Sequence, residues 1–340
     1  MTVKNSVLWA AAMAVGLAIG ACDKPNSTAS TQPGAAGGTK VQVACIAKST
    51  TNAYWKAVES GVKQAGQEEN IDILWTGPEA ETQHSQQANM VDNMASRGVA
   101  GIVIAPTNVD ALVRPIESAV KRNVPVVLID STLNSTAPTS VIATDNEAAG
   151  RQAADALAAA IGDKKPNGGT VIMLRFLEGS GSTEARERGF AEEIKAKGLT
   201  LIDQAYTKGG GSATDAADTA DALIRRRTKD GTLAVDGIFA ANQPTAIGML
   251  KKIEQFQASG TKIDCPFVGF DAHEVLLKGI RDGKVAAIVT QDPRQMGYLG
   301  VKTMAKIIKG EKVDAKISTA TATVTKANID EPKIKAITLE

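Results

Sequence analysis

The chain has 340 residues, a formal net charge of +1 and only 4% aromatic residues. Both charge signs are interspersed along it, which excludes the basic patch or basic domain that nucleic-acid binding normally requires. Lys4 precedes an uncharged apolar run at 7–21. At about 1.5 Å per residue that run reaches roughly 22 Å, short of the ~30 Å hydrocarbon core, so it reads as a secretion signal rather than a membrane span.

The run ends Ile19-Gly20-Ala21-Cys22. These residues resemble a bacterial lipobox, in which the cysteine is acylated and becomes the mature N-terminus; the other reading is an ordinary cleaved signal beside an incidental cysteine. Residues 24–39 are Pro, Gly, Ser, Thr and Ala with almost no apolar bulk. Such a segment cannot offset its ordering entropy by burial. The expected organisation is a signal peptide over 1–21, lipidation at Cys22, and a flexible tether over 22–39. About 300 residues remain, enough for two cores.

From Lys40 onward, short apolar runs alternate with amphipathic stretches. Strands are expected at 41–47, 71–75, 101–105 and 124–129, with a short apolar segment at 141–143. Helices are expected between them at 54–69, 81–97 and 109–122. A second series follows, with strands at 170–176, 199–205, 237–241, 266–270 and 285–290. Its helices fall at 147–161, 183–197, 213–227, 245–257, 274–281 and 295–309. Strands apolar throughout, separated by helices, imply parallel sheets covered on both faces. The fold class expected is therefore α/β, with two doubly wound lobes and chain crossings near Thr144 and Gln291. Cys45 and Cys265 sit far apart in sequence, and two buried free thiols are expected rather than a disulfide.

In such sheets ligands bind beyond the carboxyl ends of the strands. There the sequence places Lys48, Asn52, Tyr54 and Trp55, then Pro106-Thr107-Asn108, Asp130, Asp145 and Asn146. The second series places Arg186, Asn242, Asp271 and Gln291. Polar groups of both hydrogen-bonding senses beside an aromatic pair suit a carbohydrate, whose hydroxyls meet planar polar groups while rings cover its C–H faces. Each residue also has a plainer reading. Asp130 and Asp271 could be helix caps or turn residues, Arg186 an exposed member of the cluster 184–188, and Tyr54-Trp55 core. His84 and His273 belong to no metal spacing, and no GxSxG elbow or Walker A loop is present, so neither an enzyme nor a metal or cofactor site is expected. Gly179-Ser180-Gly181 is a weak phosphate-loop signal, and Arg225-Arg226-Arg227 is read as a solvated helix end.

Taken in order, KSTTNAYW (48–55), GIVIAPTNVDALVRPI (101–116), VPVVLID (124–130), IATDN (142–146), EARERGF (184–190), FAAN (239–242), VGFD (268–271) and AAIVTQDPRQMG (286–297) resemble the periplasmic sugar-binding family of ABC importers. That family includes ribose- and allose-binding proteins, and the resemblance runs from about Lys40 to Val324. It implies a type I periplasmic-binding-protein fold, with two lobes joined by a three-stranded hinge that close on ligand. The lobes would be 40–144 plus 292–317, and 145–291 plus 318–340. Asn52, Asp130, Arg186, Asn242, Asp271 and Gln291 match the family's polar ligand contacts, and Tyr54 and Trp55 its aromatic pair. Lys48 and Asp145 resemble the allose-binding branch, which favours a hexopyranose.

Two departures stand out. Ser131 replaces the arginine that follows the carboxylate in ribose-binding proteins, and the second lobe's aromatic falls in the glycine run near Gly211, where Tyr206 is the nearest substitute. The implied protein is a monomeric, non-enzymatic lipoprotein on the periplasmic or cell-surface side, binding a monosaccharide and presenting it to membrane permease subunits. The alternative is a sensory protein presenting a sugar or signalling molecule to a chemoreceptor or histidine kinase. A regulator of the sugar-repressor type would need a DNA-binding helix pair where the signal and tether stand.

Overall fold

The protein is described here by a computed structural model covering residues 40–162 and 168–338. The expected signal, the tether and Cys22 lie outside the described residues.

The first series comprises β1 (Gln42–Ile46), α1 (Ala53–Glu68), β2 (Asp72–Thr76), α2 (His84–Ser96), β3 (Gly101–Ile104), α3 (Val113–Lys121), β4 (Val126–Ile129) and β5 (Ser140–Thr144). The second comprises α4 (Asn146–Ile161), β6 (Thr170–Arg175), α5 (Gly181–Ala196), β7 (Thr200–Tyr206), α6 (Ala213–Arg227), a small hairpin of β8 (Thr228–Lys229) and β9 (Thr232–Leu233), β10 (Gly237–Ala240), α7 (Gln243–Ala258), β11 (Phe267–Phe270), α8 (Glu274–Arg281) and β12 (Ala287–Gln291). α9 (Pro293–Ile308), β13 (Lys316–Thr319), β14 (Thr321–Thr325) and α10 (Pro332–Thr338) complete the chain.

Two six-stranded sheets result, ordered β2-β1-β3-β4-β5-β13 and β7-β6-β10-β11-β12-β14. Every pairing within them is parallel except the edge pair β12–β14. Helices cover both faces of each sheet, so the central strands are buried on both sides; β3, β4, β10 and β11 are buried at every residue. That double burial is why they read as continuous Val/Ile/Phe runs rather than alternating ones. Four apolar clusters result, two per sheet.

The chain passes between the sheets at Asp145, again at Asp292, and finally at Ala320 between β13 and β14. After the second crossing, α9 returns to the first sheet, where Met296, Val301 and Met304 pack with Val103 and Ile129. β13 then pairs with β5.

Close helix contact fixes the second lobe. Gly150 on α4 faces the backbone of α5 so tightly that an added Cβ would lie 2.0 Å from the carbonyl oxygen of Arg186. Gly189 meets the Glu147 carbonyl in the same way, at 2.2 Å. Two glycines thus set the height at which α5 presents Arg186.

The structure differs from expectation in places. α2 starts at His84 and α3 at Val113, later than the apolar periodicity implies, because 78–83 and 106–112 turn over the ends of β2 and β3. β13, β14 and α10 have no apolar run to announce them. Cys45 is buried and burial pushes its thiol up, whereas Cys265 is only half-buried and is pushed up to about 12.

Candidate functional site

Both sheets change direction at one place, between β1 and β3 in the first and between β6 and β10 in the second. Ligands of doubly wound folds bind at such switch points. The two carboxyl edges face one another across a single cavity, lined by Lys48, Asn52, Tyr54, Trp55, Asp130, Arg186, Asn242, Asp271 and Gln291. The structure therefore brings together nine of the ten residues expected from sequence.

Asp145 is the one it does not bring. Its exposed side chain caps α4 by accepting a hydrogen bond from the Ala148 backbone N–H at 3.1 Å. Its neighbour Asn146 is the buried residue, and its Oδ1 accepts from Arg186 Nη2 at 2.7 Å.

Asp130 and Asp271 hold equivalent positions. Each follows a buried strand, each has φ of 65°, and each N–H donates to a carbonyl of the adjacent strand, Ile142 at 3.0 Å and Val289 at 2.8 Å. This left-handed backbone is costly for most L-residues and tolerated by Asp. It turns both carboxylates off the strand axis toward the cavity, where Asp130 meets Tyr54 and Lys48 and Asp271 meets the first N–H of α7.

Asp130 is held on all sides. Its Oδ1 accepts from Tyr54 Oη at 2.9 Å, and its Oδ2 pairs with Lys48 Nζ at 2.7 Å. Ser131 and Ser182 hydroxyls also donate to Oδ2. Burial alone would raise this carboxyl, but Lys48, Tyr54 and Arg186 together hold it below the ordinary range. Burial raises Tyr54, and the charge of Asp130 and the bond to it raise it further. Ser182 belongs to the second lobe, and it also accepts from Lys48 at 3.1 Å while its N–H donates to Ser131 Oγ at 3.2 Å. The Val109 N–H bonds the Gly179 carbonyl nearby at 3.0 Å. Gly179-Ser180-Gly181 is thus a close contact between lobes.

Arg186 is 1% exposed. It donates to the Ala241 carbonyl at 2.6 Å and lies 3.5 Å over the Phe270 ring. The exposed ion-pair reading applies instead to Arg188, which meets Glu147. Asp271 accepts from Gln291 Nε2 at 2.7 Å and from the Gln243 N–H at 3.0 Å, and burial raises it despite Arg186 nearby. Asn52 and Asn242 cap α1 and α7 through their Oδ1 atoms, so each combines the capping and cavity-lining roles.

Three buried side-chain polar atoms among the described residues lack a hydrogen-bond partner: Ser180 Oγ, Arg186 Nε and Gln291 Oε1. All three residues line this cavity. Leaving such groups unpaired costs about 1–3 kcal/mol each, so two donors and an acceptor stand ready for a polar, uncommitted molecule.

Sequence reasoning missed several lining residues. Phe176, just beyond β6, supplies the second lobe's aromatic. It fills the space beside Gly211, where an added Cβ would come within 2.9 Å of its Cζ. Tyr206 does not substitute for it: its hydroxyl donates to Glu184 and its ring lies 3.9 Å from the Arg175 guanidinium. Glu81, reached by a loop read as helix, lines the cavity and accepts from Trp55 Nε1 at 3.0 Å. Ser180, Ser182 and Thr183 could have been found from the position of α5, whose N-terminus points into the cleft. Thr107 and Asn108 lie outside the cavity, bonded to Gln87 and to their own loop. Arg225, Arg226 and Arg227 form ion pairs with Asp221 and Asp203. His84 bonds Thr107 and His273 caps α8. Among the described residues no helix is long and apolar enough to cross a membrane.

Two lobes of this topology with a polar, aromatic-walled cavity between them define a binding protein. The periplasmic binding protein domain model matches residues 43–312, and the chain belongs to that family. It is 27% identical over 281 residues to the ribose import binding protein RbsB of Escherichia coli K12, covering 82% of this chain and 88% of that one. A carbohydrate transporter solute-binding protein of Agrobacterium radiobacter, solved with D-arabinose, superposes with a TM-score of 0.80 at 36% identity, covering 88% of this chain and 98% of that one. An ABC transporter solute-binding protein of Agrobacterium vitis, solved with D-fucose, has a TM-score of 0.80 at 34% identity, with coverage of 87% and 99%.

Proposed function

We propose that this protein is the extracytoplasmic substrate-binding lipoprotein of an ABC-type sugar importer, capturing one monosaccharide between its lobes by hinge closure. The observation that carries this reading is the coincidence of the unpaired buried polar atoms with the aromatic-walled cavity. Arg186 Nε and Ser180 Oγ donate to ring or hydroxyl oxygens, and Gln291 Oε1 accepts from a hydroxyl. Trp55 and Phe176, one from each lobe, supply apolar contact for the C–H faces. The named ligands of its relatives, ribose, D-arabinose and D-fucose, support a sugar of this size. A hexopyranose is favoured because Lys48 occupies the first-strand position that resembles the allose-binding branch. Acylation at Cys22 would hold the monomeric protein on the periplasmic or cell-surface side, within reach of the permease. The ligand leaves chemically unchanged.

The test is a thermal-shift screen of residues 40–340 against pentoses, hexoses and polyols, followed by calorimetry on the best hit. At about 1,000 times its dissociation constant a ligand adds about 4 kcal/mol of stability, a shift of several degrees. Asp271→Ala should weaken the hit by about 2–5 kcal/mol, because Gln291 and the ligand lose a shared buried partner. A folded protein silent across the panel overturns the sugar reading.

A further inference from the structure

The charged lining of the cavity does not balance. Lys48 and Arg186 face three carboxylates, Glu81, Asp130 and Asp271. Lys48 is committed to Asp130 at 2.7 Å. Arg186 and Asp271 oppose one another within the second lobe and attract through space. Glu81 is left without an ion pair among the described residues, on the loop between β2 and α2, 9% exposed; burial raises its carboxyl, and Lys48 nearby offsets that only in part.

Its geometry is that of a held group. Trp55 Nε1 donates to Oε1 at 3.0 Å, which fixes the carboxylate and occupies the indole N–H. Among the described residues no side chain or backbone N–H donates to Oε2. The residue lines both the central cavity and the wider cleft outside it, where Ser49, Thr51 and Lys56 also lie. A buried carboxylate with one oxygen tied down and the other uncommitted is an acceptor for a ligand donor.

We infer that Glu81 is a further ligand-binding residue, accepting a hydrogen bond from a ring hydroxyl or amine, and that it restricts the site to neutral or amine-bearing sugars. Sugar acids and sugar phosphates are excluded because their charge would be buried against an unpaired carboxylate. Trp55 acts here as a positioning residue as well as an apolar wall. This inference rests on the sugar-binding reading above and adds the charge class of the ligand and the residue that sets it.

The experiment compares wild type with Glu81→Gln by calorimetry, using the best neutral monosaccharide from the screen, its uronic acid and its 2-amino counterpart. Glutamine keeps the volume and an acceptor for Trp55 but removes the charge. For wild type, the uronic acid should bind at least about a hundredfold more weakly than the neutral sugar, as burying unpaired like charge costs several kcal/mol. In Glu81→Gln the neutral sugar should weaken about tenfold, the loss of one charge-assisted bond. The gap between neutral sugar and uronic acid should narrow about tenfold or more, a change in selectivity that mere loss of packing would not produce. Melting of the ligand-free variant should match or exceed wild type, since a desolvated charge has been removed. Equal affinity of Glu81→Gln and wild type for all three ligands overturns the inference while leaving the sugar site standing. A wild type that binds none of them overturns both.

Discussion

Ser182→Ala tests whether closure depends on direct contact between the lobes. The Ser182 hydroxyl donates to Asp130 Oδ2 at 3.2 Å and accepts from Lys48 Nζ at 3.1 Å, both across the cleft. Bonds to charged partners contribute about 1.5–3 kcal/mol apiece. The truncation does not forfeit both in full, because Lys48 and Asp130 remain paired and Ser131 still bonds Asp130. The Ser182 backbone N–H also keeps its bond to Ser131. A net loss of about 2 kcal/mol from the shut state is therefore expected, roughly thirtyfold in the closed-to-open ratio. Apparent affinity falls in proportion when the binding-competent state becomes the minor one. Calorimetry with the cognate monosaccharide reads that loss, and small-angle scattering of the ligand-free protein reads the opening as an increased radius of gyration. Affinity within about twofold of wild type, with an unchanged scattering profile, would refute the assignment of these bonds as a closing element.

Two further substitutions probe the frame around the site. Gly150→Ala forces a Cβ against the Arg186 carbonyl, so α4 and α5 must separate; overpacking of this kind costs about 1–3 kcal/mol. Denaturant melts should show that loss, and ligand affinity should fall with it because Arg186 moves. Glu69 is held down to about 2 by hydrogen bonds from Lys302 and Lys309, which tie the end of α1 to α9. A carboxylate depressed in the folded state adds stability above its unfolded value near 4.5, and loses it as pH falls through the folded value. Glu69→Gln should therefore melt lower than wild type at pH 7, with the difference fading between about pH 4.5 and 2.

The alternation of elements was readable because the central strands are buried on both faces and announce themselves as uninterrupted apolar runs. β13 and β14 were not readable for the opposite reason. They are sheet-edge strands written KIST and TATVT, largely half-exposed, with no apolar run to mark them. Asp130 and Asp271 were legible as polar residues ending apolar strands, but their left-handed backbone was not. Asp145 is singled out by its resemblance to the allose-binding branch, but sequence places it and Asn146 together at the crossing and cannot say which turns inward. Phe176 was overlooked because an aromatic at the end of a strand reads as core until the facing loop is known to be glycine. Glu81 was hidden by a helical periodicity that begins three residues before the helix does.

The three crossings also dictate the order in which the molecule can be finished. The first sheet needs β13 beside β5, and its face over Val103 and Ile129 needs α9. Both arrive only after β6 to β12 of the second lobe have been made, with β14 and α10 still to follow. An emerging chain that has reached Gln291 holds every strand of the first sheet except its last, with an unpaired edge at β5 and an uncovered apolar face. Such long-range closure is slow. A first lobe that cannot lock before the last fifty or so residues appear stays incomplete until synthesis is nearly finished.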